Sequence, residues 1–140
     1  MMTVRMGILV AVGLTVLSMM GCKGGGDVPF YHIEAPVAEV AAGAGGEVRI
    51  RFVAAEGYHW NKDYPARFRI DEAKGLTVKK KTMSKADFHD NDGVGLLPIS
   101  VKGESVGETT LEGTASFSVC NSSECRILKG IPVKVPVRVR

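Results

Sequence analysis

Aromatic residues make up only 6% of this 140-residue chain, with a single Trp, and cysteine is almost as scarce, at three. No stretch of useful length carries a helical period, so a helical bundle is excluded as the architecture. Charge of one sign is also lacking. The formal net charge of +3 is too weak to point to nucleic acid, and the one dense basic run, Lys79-Lys80-Lys81, reads as a solvated face. No Gly-rich stretch sits between a strand and a helix, and no Ser/His/Asp arrangement has a nucleophile setting. Nucleotide binding and hydrolysis therefore find no warrant. Beyond residue 21 no segment is apolar enough to span a membrane.

What the chain does have begins at its front. Arg5 precedes an apolar run from Gly7 to Met20, which is long enough for a signal h-region and too short for a confident membrane span. It ends in Met19-Met20-Gly21-Cys22, which resembles a bacterial lipobox. Residues 1–21 are expected to be a lipoprotein signal peptide and Cys22 the lipidated residue. Residues 22–29, with Lys23-Gly24-Gly25-Gly26-Asp27, form a flexible tether, and 30–140 form one domain. The expected location is the bacterial cell envelope, lipid-anchored and facing the periplasm or extracytoplasmic space, where disulfides persist. Lipidation of Cys22 leaves Cys120 and Cys125 as a natural pair.

Alternation at period 2 runs through the remainder. Val48, Ile50 and Phe52 alternate with Arg49 and Arg51, Phe68 and Ile70 repeat the pattern, and Val133, Val135, Val137 and Val139 close the chain. Residues 82–96 read as irregular, with a strand restarting at Leu97. Pro136 favours an edge position for the last strand. Turn signals about every ten residues predict an all-β, immunoglobulin-like β-sandwich of seven to eight antiparallel strands.

Four groups of residues offer chemistry. Asp90-Asn91-Asp92-Gly93 fails as an EF-hand loop, because Phe88 and Ile99 occupy the positions that need acids, and it reads as an Asx-rich turn. His32, His59 and His89 lack metal-ligand spacing, and neither metal nor cofactor is expected. Tyr58-His59-Trp60 lies in a loop dense in aromatics. It closes the core or offers a partner contact, the Trp being the usual centre of a sandwich.

The fourth group is Cys120 and Cys125, with four residues between them at the turn of a predicted hairpin. A staple closing so short a loop is worth about 2 kcal/mol, which is little for a hairpin that is already local. Against a redox role, there is no Cys-X-X-Cys at a helix start to lower a thiol pKa. Arg126 and Lys129 would favour a thiolate and Glu124 would oppose it. Spacing alone leaves a structural bridge and a redox couple both open.

Gly57-Tyr58-His59-Trp60-Asn61-Lys62-Asp63-Tyr64-Pro65, followed by a strand, is similar to a motif in the N-terminal periplasmic domain of the thiol:disulfide interchange protein DsbD and its stand-alone relatives. Phe117-Ser118-Val119-Cys120 with Cys125, then Ile131-Pro132-Val133-Lys134-Val135, is similar to that domain's active-site hairpin. The resemblance covers residues 30–140. It implies an immunoglobulin-like fold in which Cys120 and Cys125 are the exchanging, catalytic pair. Electrons would pass through them to exported thiol/disulfide proteins, making the chain a thiol:disulfide oxidoreductase. The alternative is a non-catalytic sandwich lipoprotein that binds an envelope protein and carries a structural disulfide.

Overall fold

The computed structural model describes residues 30–140, so the expected signal peptide, Cys22 and the tether to residue 29 lie outside the described residues. Eleven strands follow in chain order: β1 (Tyr31–Glu34), β2 (Ala38–Val40), β3 (Gly45–Ala54), β4 (His59–Trp60), β5 (Arg67–Ala73), β6 (Leu76–Val78), β7 (Thr82–Met83), β8 (His89–Asn91), β9 (Val94–Gly103), β10 (Gly107–Cys120) and β11 (Cys125–Val139). One sheet runs β1-β3-β9-β6, with β8 also on β9. The other runs β2-β11-β10-β5-β7, with β4 also on β10.

The two sheets face each other across one apolar core, as in an immunoglobulin-like sandwich. The alternating residues supply it: Val48, Ile50 and Phe52 from β3, Leu97, Ile99 and Val101 from β9, Phe68 and Ile70 from β5. Leu111, Ala115, Phe117 and Val119 of β10 and the four valines of β11 complete it. Arg49, Arg51, Lys134 and Arg138 take the opposite, exposed faces. Period-2 patterning decides this division, because a one-residue slip would turn each valine outward.

The strand count exceeds the expected seven to eight, and one pairing is parallel, β2 on β11. The surplus comes from segments of two or three residues such as β2, β4, β7 and β8, too short for any period to register. Pro36 lies in the crossover between β1 in one sheet and β2 in the other. β11 is not an edge strand along its whole length, since β2 covers Val137–Val139, but that cover begins only after Pro136. Residues 82–96, expected to be irregular, contain β7, a 3₁₀ turn at Lys85–Asp87, β8 and the start of β9. The missed signal is Gly95, which occupies a buried position of β9 where an apolar side chain would have shown the alternation.

Close approach of backbone explains two of these inward glycines. A Cβ on Gly95 would lie 2.4 Å from Trp60 Cε3, and one on Gly113 would lie 2.2 Å from Phe68 Cζ and 2.7 Å from the Arg69 carbonyl oxygen. Phe68 is fully buried and the carbonyl belongs to the paired strand, so neither yields cheaply. Gly113→Ala is expected to destabilise the fold by about 2–3 kcal/mol through overpacking. Urea unfolding monitored by Trp60 fluorescence measures this, and a midpoint equal to wild type would refute the contact.

Candidate functional site

Strands β10 and β11 pair continuously from Gly107↔Val139 to Cys120↔Cys125, with one bulge near Ala115–Phe117. At the tip, the Asn121 side-chain oxygen accepts the amides of Ser123 (2.9 Å) and Glu124 (2.7 Å). The Asn121 amide donates to the Glu124 carbonyl at 2.8 Å. This Asx-braced loop holds the two strand ends in register. The cysteines form a disulfide there, with Cα atoms 4.0 Å apart.

Their surroundings differ. Cys120 has strands on both sides, β11 with Cys125 and β4 with His59 opposite it, and is only 7% exposed. Among the described residues no strand lies beyond Cys125 on its other side, since β2 joins β11 only at Val137–Val139, and Cys125 is exposed. Cys125 is therefore the exposed half of the bridge and Cys120 the buried half.

Trp60 holds β4 in place. It is 3% exposed and stacks on Phe88 (5.3 Å, 23°) and Phe117 (5.7 Å, 18°), with Phe52 at 5.6 Å. Its amide donates to the Gly93 carbonyl at 2.8 Å. As a partner contact Trp60 must be set aside, because its ring is spent on the core. His59 is exposed beside Cys120, and Tyr58 is half-buried at the hairpin tip. Asn61 continues this flank, its amide donating to the Ser118 carbonyl (2.9 Å) and its side chain to Ser118 Oγ (3.4 Å).

A second cluster ties the start of the domain to the hairpin. The Tyr58 hydroxyl donates to Glu124 Oε1 at 2.9 Å, and Arg126 Nη2 lies 3.3 Å from the same oxygen. The Arg126 guanidinium sits 4.6 Å over the Phe30 ring, which meets Tyr58 edge-on at 5.4 Å. The hydrogen bond to Glu124 is the main cause that lifts the Tyr58 phenol above its ordinary range; partial desolvation and the Glu124 charge add to it, and Arg126 opposes it. Arg126 and Glu124 are thus paired with each other beside Cys125. Phe30 carried no site signal in the sequence, because only the tertiary contacts bring it here.

The Asp90–Gly93 segment is a turn in which the Gly93 amide donates to Asp90 Oδ1 at 3.0 Å. Among the described residues, no three His, Cys, Asp or Glu side chains gather as a metal-binding group.

No protein-family model matches the chain, and no curated protein matches it. Solved structures with a related arrangement include domains 4 and 5 of the S-layer protein SbsC, at 14% identity and a TM-score of 0.35, covering 78% of this chain. This chain spans 44% of that structure's length. Murine CRIg follows at 10% identity and a TM-score of 0.36, covering 79% of this chain and 98% of CRIg. The CooA pilin subunit from enterotoxigenic Escherichia coli shows 8% identity and a TM-score of 0.30, covering 80% and 99%.

Proposed function

We propose that this protein is a membrane-anchored extracytoplasmic thiol:disulfide exchange domain that passes electrons through the Cys120–Cys125 couple to exported proteins. The observation that carries this reading is the asymmetry of the bridge, with Cys125 exposed on an outer strand and Cys120 shielded between two strands. An exchange couple needs one sulfur that a partner can reach and one that acts only from within.

The steps balance as follows. A thiolate of a donor dithiol attacks Cys125 Sγ, the internal bridge breaks, and Cys120 leaves as a thiolate that takes a proton. The donor's second thiolate then attacks its own sulfur in the mixed disulfide and releases Cys125, completing the transfer of two electrons. In the outward half, the Cys125 thiolate attacks a disulfide of an exported protein and expels one of its sulfurs. Cys120, deprotonated, attacks Cys125 Sγ, re-forms the bridge and releases the second thiol of the target.

Position supports the anchored form of the proposal. Phe30 packs against Tyr58 and Arg126, so the chain joins the domain at the disulfide end. Residues 23–29 span at most about 25 Å. A lipid on Cys22 would keep the couple near the bilayer surface, within reach of a membrane-borne donor.

The test is the reduction potential of the bridge. The full chain in detergent micelles is equilibrated with graded glutathione or dithiothreitol buffers and its thiols are trapped. The expected midpoint lies between about −180 and −280 mV. The fold should survive in both states, because β10 and β11 pair over their whole length down to Gly107↔Val139, far from the bridge, and the closed loop contributes only about 2 kcal/mol. A midpoint below about −300 mV, or unfolding on reduction, would instead leave a stapled binding domain.

A further inference from the structure

The ladder at the hairpin tip fixes which backbone groups face outward. The Asn121 amide bonds to the Glu124 carbonyl, so the next rung, Cys120↔Cys125, is a non-hydrogen-bonded pair. The 4.0 Å separation of its Cα atoms belongs to the same close class. By alternation Arg126↔Val119 is the bonded rung and Ile127↔Ser118 is again non-bonded. The N–H and C=O groups of Cys125 and Ile127 are therefore turned away from β10, toward the outer side of β11. Among the described residues, no strand covers that side before Val137.

The rest of this open edge is blunted. Gly130, at φ 66°, bends β11 at the bulge, and Pro132 and Pro136 follow. Among the described residues, the stretch of this edge with neither proline, bulge nor paired strand is Cys125–Leu128. It carries the accessible sulfur and, two residues on along the same face, Ile127, which is 57% exposed.

We propose that the Cys125–Leu128 edge of β11 is the docking strand for partners. An extended, cysteine-bearing segment of the partner protein pairs with the outward groups of Cys125 and Ile127, lays an apolar side chain against Ile127, and brings its sulfur to Cys125. This inference rests on the exchange function proposed above and adds the mode of recognition. The occupant is an extended segment because the edge offers main-chain donors and acceptors at two-residue spacing, the pattern a strand satisfies. It bears a cysteine because the same two-residue stretch holds the accessible sulfur.

The probe is a short peptide of alternating threonine and valine with one central cysteine, compared with an N-methylated copy that cannot pair and with dithiothreitol. The oxidised full chain should react with the parent peptide about tenfold faster than with the N-methylated one, as expected for one to two edge hydrogen bonds. Ile127→Pro removes one outward donor and should bring the two peptide rates together. Ile127→Thr keeps the backbone groups and should retain most of the preference, while Val106→Thr, which alters a remote exposed apolar residue, should change nothing. Equal rates for both peptides would overturn the docking proposal.

A second readout does not depend on exchange. The serine version of the peptide should slow amide hydrogen exchange at Cys125 and Ile127 and leave Arg126 and Leu128 unchanged. Slowing in a chain whose bridge resists dithiothreitol would keep the docking edge and reject the redox function. No slowing at either amide would reject the edge. Slowing that grows with protein concentration in the absence of peptide would assign the edge to a second copy of the chain and also overturn the proposal.

Discussion

Replacing Trp60 with alanine is expected to destabilise the domain by about 3–5 kcal/mol and to loosen the flank of the disulfide at the same time. The ring is 3% exposed and meets Phe52, Phe88 and Phe117, and its face covers Gly95. Truncation leaves a cavity that these neighbours cannot fill together, because they belong to three different strands or loops. A domain of about 110 residues has roughly 5–15 kcal/mol to lose, so the variant sits near its unfolding threshold. β4 has only two residues and pairs with β10 at Val119 and Cys120. Without the Trp60 anchor, His59 loses its register beside Cys120, and the shielded sulfur becomes accessible. Guanidinium unfolding followed by circular dichroism gives the stability change. Under conditions where the variant remains folded, alkylation of the reduced protein should label Cys120 at least tenfold faster than in wild type. An unchanged midpoint would show that the aromatic cluster is not the keystone of this end of the sandwich.

The second large effect concerns the two cysteines taken separately. If the exchange function holds, Cys120→Ser leaves an accessible thiol at Cys125 with no internal partner to resolve it. Mixed disulfides with glutathione or with exported proteins should accumulate, and turnover should fall at least a hundredfold. Cys125→Ser leaves only the shielded Cys120 thiol, so neither turnover nor trapped adducts should form at a comparable rate. Non-reducing electrophoresis and intact mass measure the adducts directly. A structural bridge predicts a different outcome, in which both variants lose about 2 kcal/mol alike and neither forms adducts selectively. Equal trapping by the two variants would refute the assigned roles, because these rest on the difference in exposure between the sulfurs.

Much of the fold was legible because burial on one face of a strand leaves a direct trace. Arg49 and Arg51 between Val48, Ile50 and Phe52, and the valines of β11, can be sorted into faces without coordinates. Where glycine holds an inward position the trace vanishes, and Gly95 hid the first turn of β9 for that reason. Two-residue pairings such as β4 leave no period at all. The site was legible in part. Cys120 and Cys125 stood out by chemistry, and Tyr58-His59-Trp60 by aromatic density. The division of that tripeptide was readable only in part: a Trp usually fills the centre of a sandwich, but the place of Tyr58 and His59 beside the cysteines is set by strand pairing.

The chain by itself pointed to an all-β sandwich, to two cysteines at the turn of a hairpin, and to an aromatic segment that either closes the core or offers a contact. Local alternation and short-range turn chemistry suffice for these, because they act over a few neighbouring residues. Only the tertiary structure decided that Cys120 lies between β4 and β11 while Cys125 faces outward, that Phe30 and Arg126 close over Tyr58, and that β11 keeps an open edge beside the accessible sulfur. Each of these depends on which distant strands become neighbours, and that choice is made by the packing of the whole core rather than by any segment within it.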